Sequence, residues 1–278
     1  MAQSSAVLVD QIKTCINDGA NTTITDNIAN NIVRSFNTWA YKREQPSDPN
    51  LMRQFVARAV ERGEPVPFVL YWGKGPRSAL ATPDRQCLNY LATLAQRVAS
   101  AYAQGVCITL VCTDTHALLN GHSQRAIQEY FGEIERAAAK RGFASCRLGS
   151  IASTLPITQA VPADDVVDVE TLQRLTRAAT LWYRGGESAE VGARRYYQMN
   201  MVEKRAIERA YPDAIFITFN GSEFRPLFPD GLPIFYMYSL KRGSAIKPWF
   251  AAETALDDVP SLALSMKPNG YAQVEFVS

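Results

Sequence analysis

The chain has 278 residues, of which 47% are hydrophobic and 20% charged, and its formal net charge is +2. This length suits one domain with a sizeable core, and the near-neutral charge argues against a dedicated nucleic-acid-binding protein. The N-terminal residues show no charged segment followed by a long apolar stretch, and no apolar run approaches the roughly 20 residues of a membrane helix. Five cysteines without a CxxC pair do not predict a disulfide framework. We therefore expect a cytoplasmic protein without nucleic-acid or membrane partners.

The N-terminal part, residues 1–60, is predicted to be mainly helical. Apolar residues recur at helical spacing in residues 24–36, and a second helix is predicted to end at Gly63. We expect this part to belong to a single α/β domain that spans residues 1–278.

The central and later parts alternate between apolar runs and amphipathic helices. Thr82, with Pro83 and Asp84 behind it, predicts a helix N-terminus, and Ser123 predicts another. This alternation predicts an α/β fold, a Rossmann-like mostly parallel sheet with helices on both faces. The predicted strands are 65–72, 106–112, 143–151, 214–219 and 232–238, the later helices are about 168–183 and 192–210, and 150–165 is an exposed connection.

Polar residues follow several of the predicted strands. Because the carboxyl ends of parallel strands meet at one edge of a sheet, ligands bind beyond that edge. The sequence therefore predicts a site assembled from these loops. Its candidate residues are Lys74 and Arg77 after the first strand, Asp114, His116, Asn120 and His122 after the second, and Asn220, Glu223 and Arg225 after 214–219.

The stretch "YWGKGPR" ends the first strand and opens its loop. Two glycines let the backbone approach a ligand, and Lys74 and Arg77 can bind a phosphate or a carboxylate. Ser78 occupies the third glycine position of a dinucleotide-binding loop, and the Walker pattern is absent. The alternative is a flexible turn with solvated cations.

The stretch "VCTDTHALLNGH" contains both histidines of the chain. Asp114, His116 and His122 offer the ligand types of a zinc or non-haem iron site, as in a metal-dependent hydrolase or oxygenase. Alternatively, Asp114 orients a substrate amine while His116 transfers protons near neutral pH. The third possibility is a purely structural turn. A nucleophilic pair of Cys112 and His116 is disfavoured because Cys112 ends a buried strand.

The helix "GARRYYQMNMVEKRAIERAY" is basic and rich in aromatic residues. Arg194 and Arg195 are candidates for binding a phosphate. Glu203, Lys204 and Arg205 look like a solvated face. The cysteines in apolar runs, Cys87, Cys107, Cys112 and Cys146, look like small core residues.

Several of these stretches, in this order, resemble the isonitrile (isocyanide) synthase family, also called the pyoverdine/dityrosine biosynthesis family. The resemblance is best over residues 60–150. It comprises "PVPFVLYWGKG", "PDRQCLNYLATLAQRV", "YAQGVCITLVCTD" and "AIQEYFGEIERAAAKRGF", and then, more weakly, "RRYYQMNMVEKRAIERAYPDAIFITF" and "KPWF".

The resemblance implies an enzyme that condenses the amine of an amino acid with the ketone of ribulose 5-phosphate. Lys74 falls on the family's lysine, Asp114 on the aspartate of its Ser-Asp-Gly run, and Arg194 and Arg195 on its basic helix. The implied substrates are small molecules, and no metal or nicotinamide cofactor is implied for this step. An iron/2-oxoglutarate oxygenase acting downstream in the same pathway is the implied partner.

The sequence departs from the family pattern at two places. Residues 217–220 read Ile-Thr-Phe-Asn where many members have Ser-Ile-His, and Phe250 stands where members have a histidine after Pro-Trp. Two family histidines are therefore absent, whereas His116 and His122 are present. Lys74, Asp114 and His116 remain the candidate catalytic residues. A non-catalytic protein that binds a phosphorylated ligand is the other alternative.

Overall fold

The structure is a computed structural model that describes residues 24–73, 76–77, 79–154, 167–183 and 186–238, with the backbone of two further strands. The helices are α1 (24–36), α2 (Pro49–Arg62), α3 (Thr82–Ala99), α4 (Asp114–Leu119), α5 (Gln124–Ala139), α6 (Leu148–Ala152), α7 (Val169–Trp182) and α8 (Ala189–Ala210). The strands are β1 (Val66–Trp72), β2 (Val106–Cys112), β3 (Ala144–Arg147), β4 (Ile215–Thr218), β5 (Ile234–Tyr236), β6 (Ala263–Met266) and β7 (Ala272–Glu275), and a 3-10 helix covers Ser222–Leu227.

Five strands form one sheet in the order β3-β2-β1-β4-β5, and every neighbouring pair is parallel. β1 lies at the centre and pairs with β2 from Val66–Val106 to Trp72–Cys112. Parallel strands need crossover connections, which the helices between them supply. The predicted Rossmann-like α/β fold is confirmed.

The sheet has an apolar layer on each face. Successive side chains of a strand point to opposite faces, so Phe68 and Leu70 of β1 pack in one cluster with residues of α3 and α5. Val69 of β1 and Phe216 of β4 pack in a second cluster with residues of α7 and α8. Each large apolar side chain buried in this way contributes about 1.5–3 kcal/mol relative to an exposed one. The helices therefore cover both faces, as predicted.

The helix termini follow local capping chemistry. The Asp48 carboxylate accepts a hydrogen bond from the Leu51 amide at 2.8 Å, and α2 ends at Gly63, whose φ is 64°. The Ser123 hydroxyl accepts from the Ala126 amide at the start of α5, as predicted. The prediction for α3 was wrong by one residue: the N-cap is Ala81, and Thr82 is the first helical residue.

Other local predictions were wrong. The third strand ends at Arg147, and α6 follows it, because Leu148 and Ile151 turn back into the core. The segment from Asp114 is a short helix, α4, rather than a loop. Cys107 is exposed because it lies at the open beginning of β2. Strands β6 and β7 form an antiparallel pair that the sequence did not predict.

No helix in the described part of the chain combines the length and apolar character that a membrane crossing requires. Most of the predicted connection 150–165 lies outside the described residues, and its first residues belong to α6 and the turn after it. The grouping of the whole chain into one domain stays a prediction.

Candidate active site

The strand order creates a switch point between β1 and β4. From β1 the chain proceeds to β2 and β3 on one side, and it then returns across the sheet to place β4 and β5 on the other side. The connections from the two central strands therefore leave in opposite directions. In sheets of this kind the crevice beyond their carboxyl ends is the usual ligand site.

A small, partly open cavity lies at this switch point. Its volume is about 20 Å³, which is space for one or two water-sized groups. Hereafter we call it the switch-point cavity. Its lining consists of the ends of β1 and β4 with two residues packed against them: Tyr71, Trp72, Gly73, Cys87, Phe216, Ile217, Thr218, Phe219, Asn220 and Phe228.

Two polar side chains of this lining have an unsatisfied atom. Asn220 is only 2% exposed, and its Oδ1 atom has no hydrogen-bond partner among the described residues. The Tyr71 hydroxyl is also buried and without a partner among them. Buried polar atoms are normally paired, so these two residues are candidates for contact with a ligand or ordered water. Asn220 was predicted at this site; Tyr71 was not.

The Tyr71 hydroxyl is neutral at ordinary pH. Burial raises its pKa well above the usual value, and the carboxylates of Glu203 and Glu208 raise it further. The hydroxyl is therefore available both to donate and to accept a hydrogen bond.

A hydrogen-bonded cluster contacts Tyr71, a residue of the cavity lining. The Nε2 atom of His116 is 2.6 Å from Oε2 of Glu203, and the Thr115 hydroxyl donates to Oε1 of the same carboxylate at 2.5 Å. His116 is 4% exposed and Glu203 is 3% exposed. The His116 ring makes edge contacts with the rings of Tyr71 and Tyr196. We call Thr115, His116 and Glu203 the His116 cluster.

The burial of Glu203 shows that one prediction from the sequence was wrong. Its neighbours in "VEKRAIER" are charged, and the segment was therefore interpreted as a solvated face. In the structure α8 turns Glu203 toward α4, where His116 and Thr115 satisfy its carboxylate. Helical spacing nevertheless places Glu203 on the buried face with Asn200 and Ile207, which the interpretation as a solvated face overlooked. His116 itself does not line the cavity, so the structure gives it no direct access from there.

Asp114 has a structural partner. Its Oδ1 atom accepts a hydrogen bond from the Gly149 amide at 2.9 Å, which ties the end of β2 to the start of α6. A Cβ atom on Gly149 would lie 3.2 Å from Oδ2, so the contact favours glycine there. The predicted contact of Asp114 with a substrate amine stays a prediction.

The β1–α3 loop contains the predicted anion site. Lys74 lies outside the described residues. Arg77 is partly buried and forms no ion pair with a described residue. It lies near Tyr130: burial and the Asp84 carboxylate raise the pKa of Tyr130, whereas the charge of Arg77 lowers it. A partly buried arginine without a carboxylate partner is available to an anionic ligand.

Asp84 is buried, whereas the sequence analysis considered it only as an acidic residue in the first turn of a helix. It is fully buried, and its Oδ2 atom accepts from the Ala81 amide at 3.1 Å. Tyr130, which accepts a hydrogen bond from the Trp72 indole at 3.4 Å, contacts it as well. These contacts tie the end of β1 to the start of α3 and to α5.

The three other predicted arginines lie in surface ion pairs. Arg194 pairs with Glu190 at 2.8 Å, and Arg195 pairs with Glu187. Both arginine side chains are about half exposed. Arg225 donates to the Phe228 carbonyl at 3.2 Å and pairs with Asp230. Their predicted role in substrate binding stays a prediction.

Asn120 and His122 lie at the end of α4. Asn120 caps that helix, and its Oδ1 atom is buried without a hydrogen-bond partner in the described part of the chain. The partly buried His122 follows in the next turn. Among the described residues, no three histidine, cysteine or acidic side chains are grouped so that they could hold a metal ion. The structure therefore does not assemble Asp114, His116 and His122 as a metal site.

The chain matches no protein-family model, and no curated protein matches it. Among solved structures, it is similar to the crystal structure of the PvcA protein from Pseudomonas aeruginosa, with a TM-score of 0.57 and 16% identity. The match covers 80% of this chain and 88% of that one. Tyrosyl-tRNA synthetase complexed with L-tyrosine from Archaeoglobus fulgidus gives a TM-score of 0.46 at 12% identity, covering 77% and 67%. The corresponding complex from Pyrococcus horikoshii gives 0.40 at 14%, covering 72% and 52%. At these identities the similarity to PvcA shows the fold alone.

Proposed function

We propose that the protein is an isonitrile synthase-like enzyme that condenses the amine of an amino acid with the ketone of ribulose 5-phosphate in secondary metabolism. The observation that carries the proposal is the switch-point cavity, whose lining includes Gly73, directly after β1, and Asn220, whose buried amide oxygen has no partner among the described residues. The motif resemblance and the fold shared with PvcA support it.

The first chemical step joins the amine nitrogen to the ketone carbon and releases one water, which leaves an imine. It needs an amine held without its extra proton, a nearby carbonyl and a cation for the phosphate. In the proposal Asn220 and Tyr71 contact the organic part of the substrates, and Arg77 and Lys74 bind the phosphate. Arg194, Arg195 and Arg225 are candidates for a supporting role only, because each has a surface or backbone partner.

His116 acts as a positioning residue in this proposal. Its Nε2 atom is occupied by Glu203, and it touches the cavity lining only through the Tyr71 ring. The predicted proton transfer by His116 therefore has no described path to the cavity. Asp114, which is bonded to Gly149, supports the same edge of the sheet from the side of β3.

The test is mass spectrometry of the purified protein incubated with ribulose 5-phosphate and all twenty amino acids, with a chemical trap for isonitriles. A trapped product that carries the nitrogen of one amino acid is the expected result and identifies the donor. Ribulose 5-phosphate recovered unchanged in every mixture would overturn the proposal. If the sugar phosphate nevertheless raises the melting temperature, a phospholigand-binding protein becomes the better description.

A further inference from the structure

We propose that Arg43 and Glu44 are positioning residues for the switch-point cavity. They lie in the segment 41–47, before α2, which we call the edge strap, and they hold the loop that follows β4. That loop begins with Phe219 and Asn220, which line the cavity. The inference rests on the proposed function, because it gives the edge strap a part in forming one wall of the same site.

The edge strap is itself fixed along the outer edge of β5. The Arg43 amide donates to the Tyr236 carbonyl at 2.9 Å, and the Ser47 amide donates to the Ile234 carbonyl at 3.0 Å. The Ser47 hydroxyl also accepts a hydrogen bond from the Ile234 amide at 2.9 Å. The backbone that carries Glu44 is therefore held in place by the sheet on both sides of this residue.

The Glu44 carboxylate binds Ser222 at two points. Its Oε1 atom accepts a hydrogen bond from the Ser222 amide at 2.8 Å, and its Oε2 atom accepts one from the Ser222 hydroxyl at 2.8 Å. The two residues are 178 positions apart in the chain. Hydrogen bonds to a carboxylate are stronger than those between neutral groups, and two parallel bonds fix orientation as well as distance. Ser222 is therefore held relative to the edge strap.

The Arg43 guanidinium contacts the same loop at Gly221. Its Nη2 atom is 3.6 Å from Oε2 of Glu223, and a Cβ atom on Gly221 would collide with both of these atoms. The ion pair therefore lies directly against the Gly221 backbone, which favours glycine at this position. In addition, Arg174 of α7 donates to the Glu223 carbonyl at 2.9 Å. Residues 221–223 are thus held by contacts with both the edge strap and α7.

These held residues continue directly from the cavity lining. Phe219 is 8% and Asn220 is 2% exposed, and both line the cavity. The Asn220 amide donates to the Thr218 hydroxyl at the end of β4, at 3.1 Å. The lining is therefore fixed by the sheet before Phe219 and by the edge strap after Asn220. Loss of the strap contacts should loosen this loop locally while the central strands keep their hydrogen bonds.

Amide hydrogen exchange of the full-length protein, resolved to single residues, tests the role of Glu44 without any substrate. The amides of Asn220 and Phe224 are bonded to Thr218 and Gly221 rather than to Glu44. In Glu44→Ala both amides should nevertheless exchange about tenfold faster or more. Amides within β1 and β2 should exchange at the wild-type rate. Unchanged exchange at Asn220 and Phe224 would overturn the inference.

Matched variants distinguish the contact with Ser222 from a general loss of charge. Glu44→Gln keeps an acceptor for the Ser222 amide and should change these exchange rates about twofold at most. Ser222→Ala should have a smaller effect than Glu44→Ala, and it should add nothing to Glu44→Ala in the double variant, because the pair is already broken. Fully additive effects would overturn the assigned contact.

Glu129→Ala is the control, since it removes a carboxylate of α5 whose only printed ion pair, with Arg125, is exposed. It should leave the exchange of Asn220 and Phe224 unchanged, and faster exchange in this variant would overturn the local explanation. If Glu44→Ala does not fold, Ser222→Ala serves in its place and should still accelerate the exchange of Asn220.

The kinetic test uses the condensation of the proposed function, measured well below the melting temperature so that every variant is folded. Glu44→Ala should lower kcat/KM about tenfold, mainly through a higher KM for the substrate that contacts the wall at Asn220, and Glu44→Gln should restore most of it. A contact that only stabilises the fold would leave kcat/KM of the folded protein unchanged. That result would overturn the positioning role, whatever the exchange rates.

The failure of this inference and the failure of the proposed function give different results. Faster exchange at Asn220 in Glu44→Ala, in a protein that condenses no substrate, would keep the role of the edge strap and remove the reaction. Condensation at the wild-type kcat/KM in Glu44→Ala would keep the reaction and remove the positioning role.

Discussion

Two polar regions lie side by side at the carboxyl edge of the sheet, and their hydrogen bonding differs. In the His116 cluster, both carboxylate oxygens of Glu203 have partners within 2.6 Å. Two residues that line the switch-point cavity, Asn220 and Tyr71, each have a buried polar atom without a partner among the described residues. Tyr71 contacts both regions, since it lines the cavity and its ring touches that of His116.

The difference distinguishes buried groups that stabilise the fold from buried groups that can contact a ligand. A buried polar group that has its partners within the chain stabilises one arrangement of the helices. A buried polar group without a partner lowers stability until a ligand or water supplies one. The histidines drew attention to the His116 cluster, but the residues that line the switch-point cavity are the better candidates for substrate contact.

The largest expected effect is a loss of stability when the His116 cluster is disrupted. Glu203→Ala leaves His116 and Thr115 without their buried partner and should lower the free energy of unfolding by about 3–5 kcal/mol. Urea denaturation measures the change. Glu190→Ala, which removes a half-exposed partner of Arg194, is the control and should cost less than about 1 kcal/mol. Equal losses in the two variants would mean that the His116 cluster does not stabilise the fold.

The second effect concerns buried hydroxyls at high pH. Burial raises the pKa of Tyr71 and Tyr196 well above the usual value and that of Tyr236 to about 12. Their neutral forms contribute stability that is complete below the unfolded pKa of about 10 and is lost as pH rises toward the folded pKa. Each tyrosine that stays neutral should cost about 1.4 kcal/mol per pH unit above 10.

Urea denaturation between pH 8 and about pH 11, together with tyrosinate absorbance, checks this expectation. The absorbance of these tyrosines should increase with unfolding rather than before it. Tyrosinate formation in the folded protein near pH 10 by all twelve tyrosines would contradict the burial of these hydroxyls.

A smaller effect on the free energy of unfolding is expected when two buried asparagines are replaced and compared. Asn200 donates from Nδ2 to the Tyr196 carbonyl at 2.7 Å, whereas Asn220 Oδ1 is unpaired. Asn200→Leu should lower the free energy of unfolding by about 1–3 kcal/mol, and Asn220→Leu should change it by less than about 1 kcal/mol. Thermal and urea denaturation without added ligand make the comparison. A larger loss from Asn220→Leu would show that its amide has a structural role.

The smallest expected effect on stability comes from substitutions of exposed arginines. Arg194→Ala and Arg195→Ala remove exposed ion pairs and should each change the free energy of unfolding by less than about 1 kcal/mol. The KM for ribulose 5-phosphate in the same variants tests their predicted phosphate contact. A several-fold rise in KM would extend the phosphate site from Arg77 to α8; an unchanged KM would limit it to the β1–α3 loop.

Much of the fold was predictable because its signals are local. Apolar runs gave the positions of β1, β2 and β4, and Ser123 and Gly63 gave helix ends. Short elements were less predictable: "FASCRLGSI" contains a strand and a helix, and only packing decides where one becomes the other. The sequence between β6 and β7 contains Pro268-Asn269-Gly270, a turn signal typical of hairpins, but our prediction did not use it.

The site was predictable in part. The rule that ligands bind beyond parallel strands placed Asn220 at the edge where the structure has the switch-point cavity, and its role there stays a prediction. The position of Tyr71 at the site was not predicted because it lies within an apolar strand. The burial of Asp84 was not predicted because acidic residues are common in the first turn of a helix. Helical spacing from Asn200 indicates that Glu203 is buried, but its partners could not be recognised, since His116 and Thr115 lie on another element far away in the chain.

The position of β1 has a consequence for biosynthesis. One of its edges pairs with β2, which follows soon after, whereas the other pairs Phe68 with Ile215 of β4, which emerges from the ribosome much later. A nascent chain that ends before β4 therefore exposes an apolar, unpaired strand edge. Such an edge is a template for intermolecular pairing. Truncation before residue 215 should thus produce an aggregating chain with high demand for chaperones.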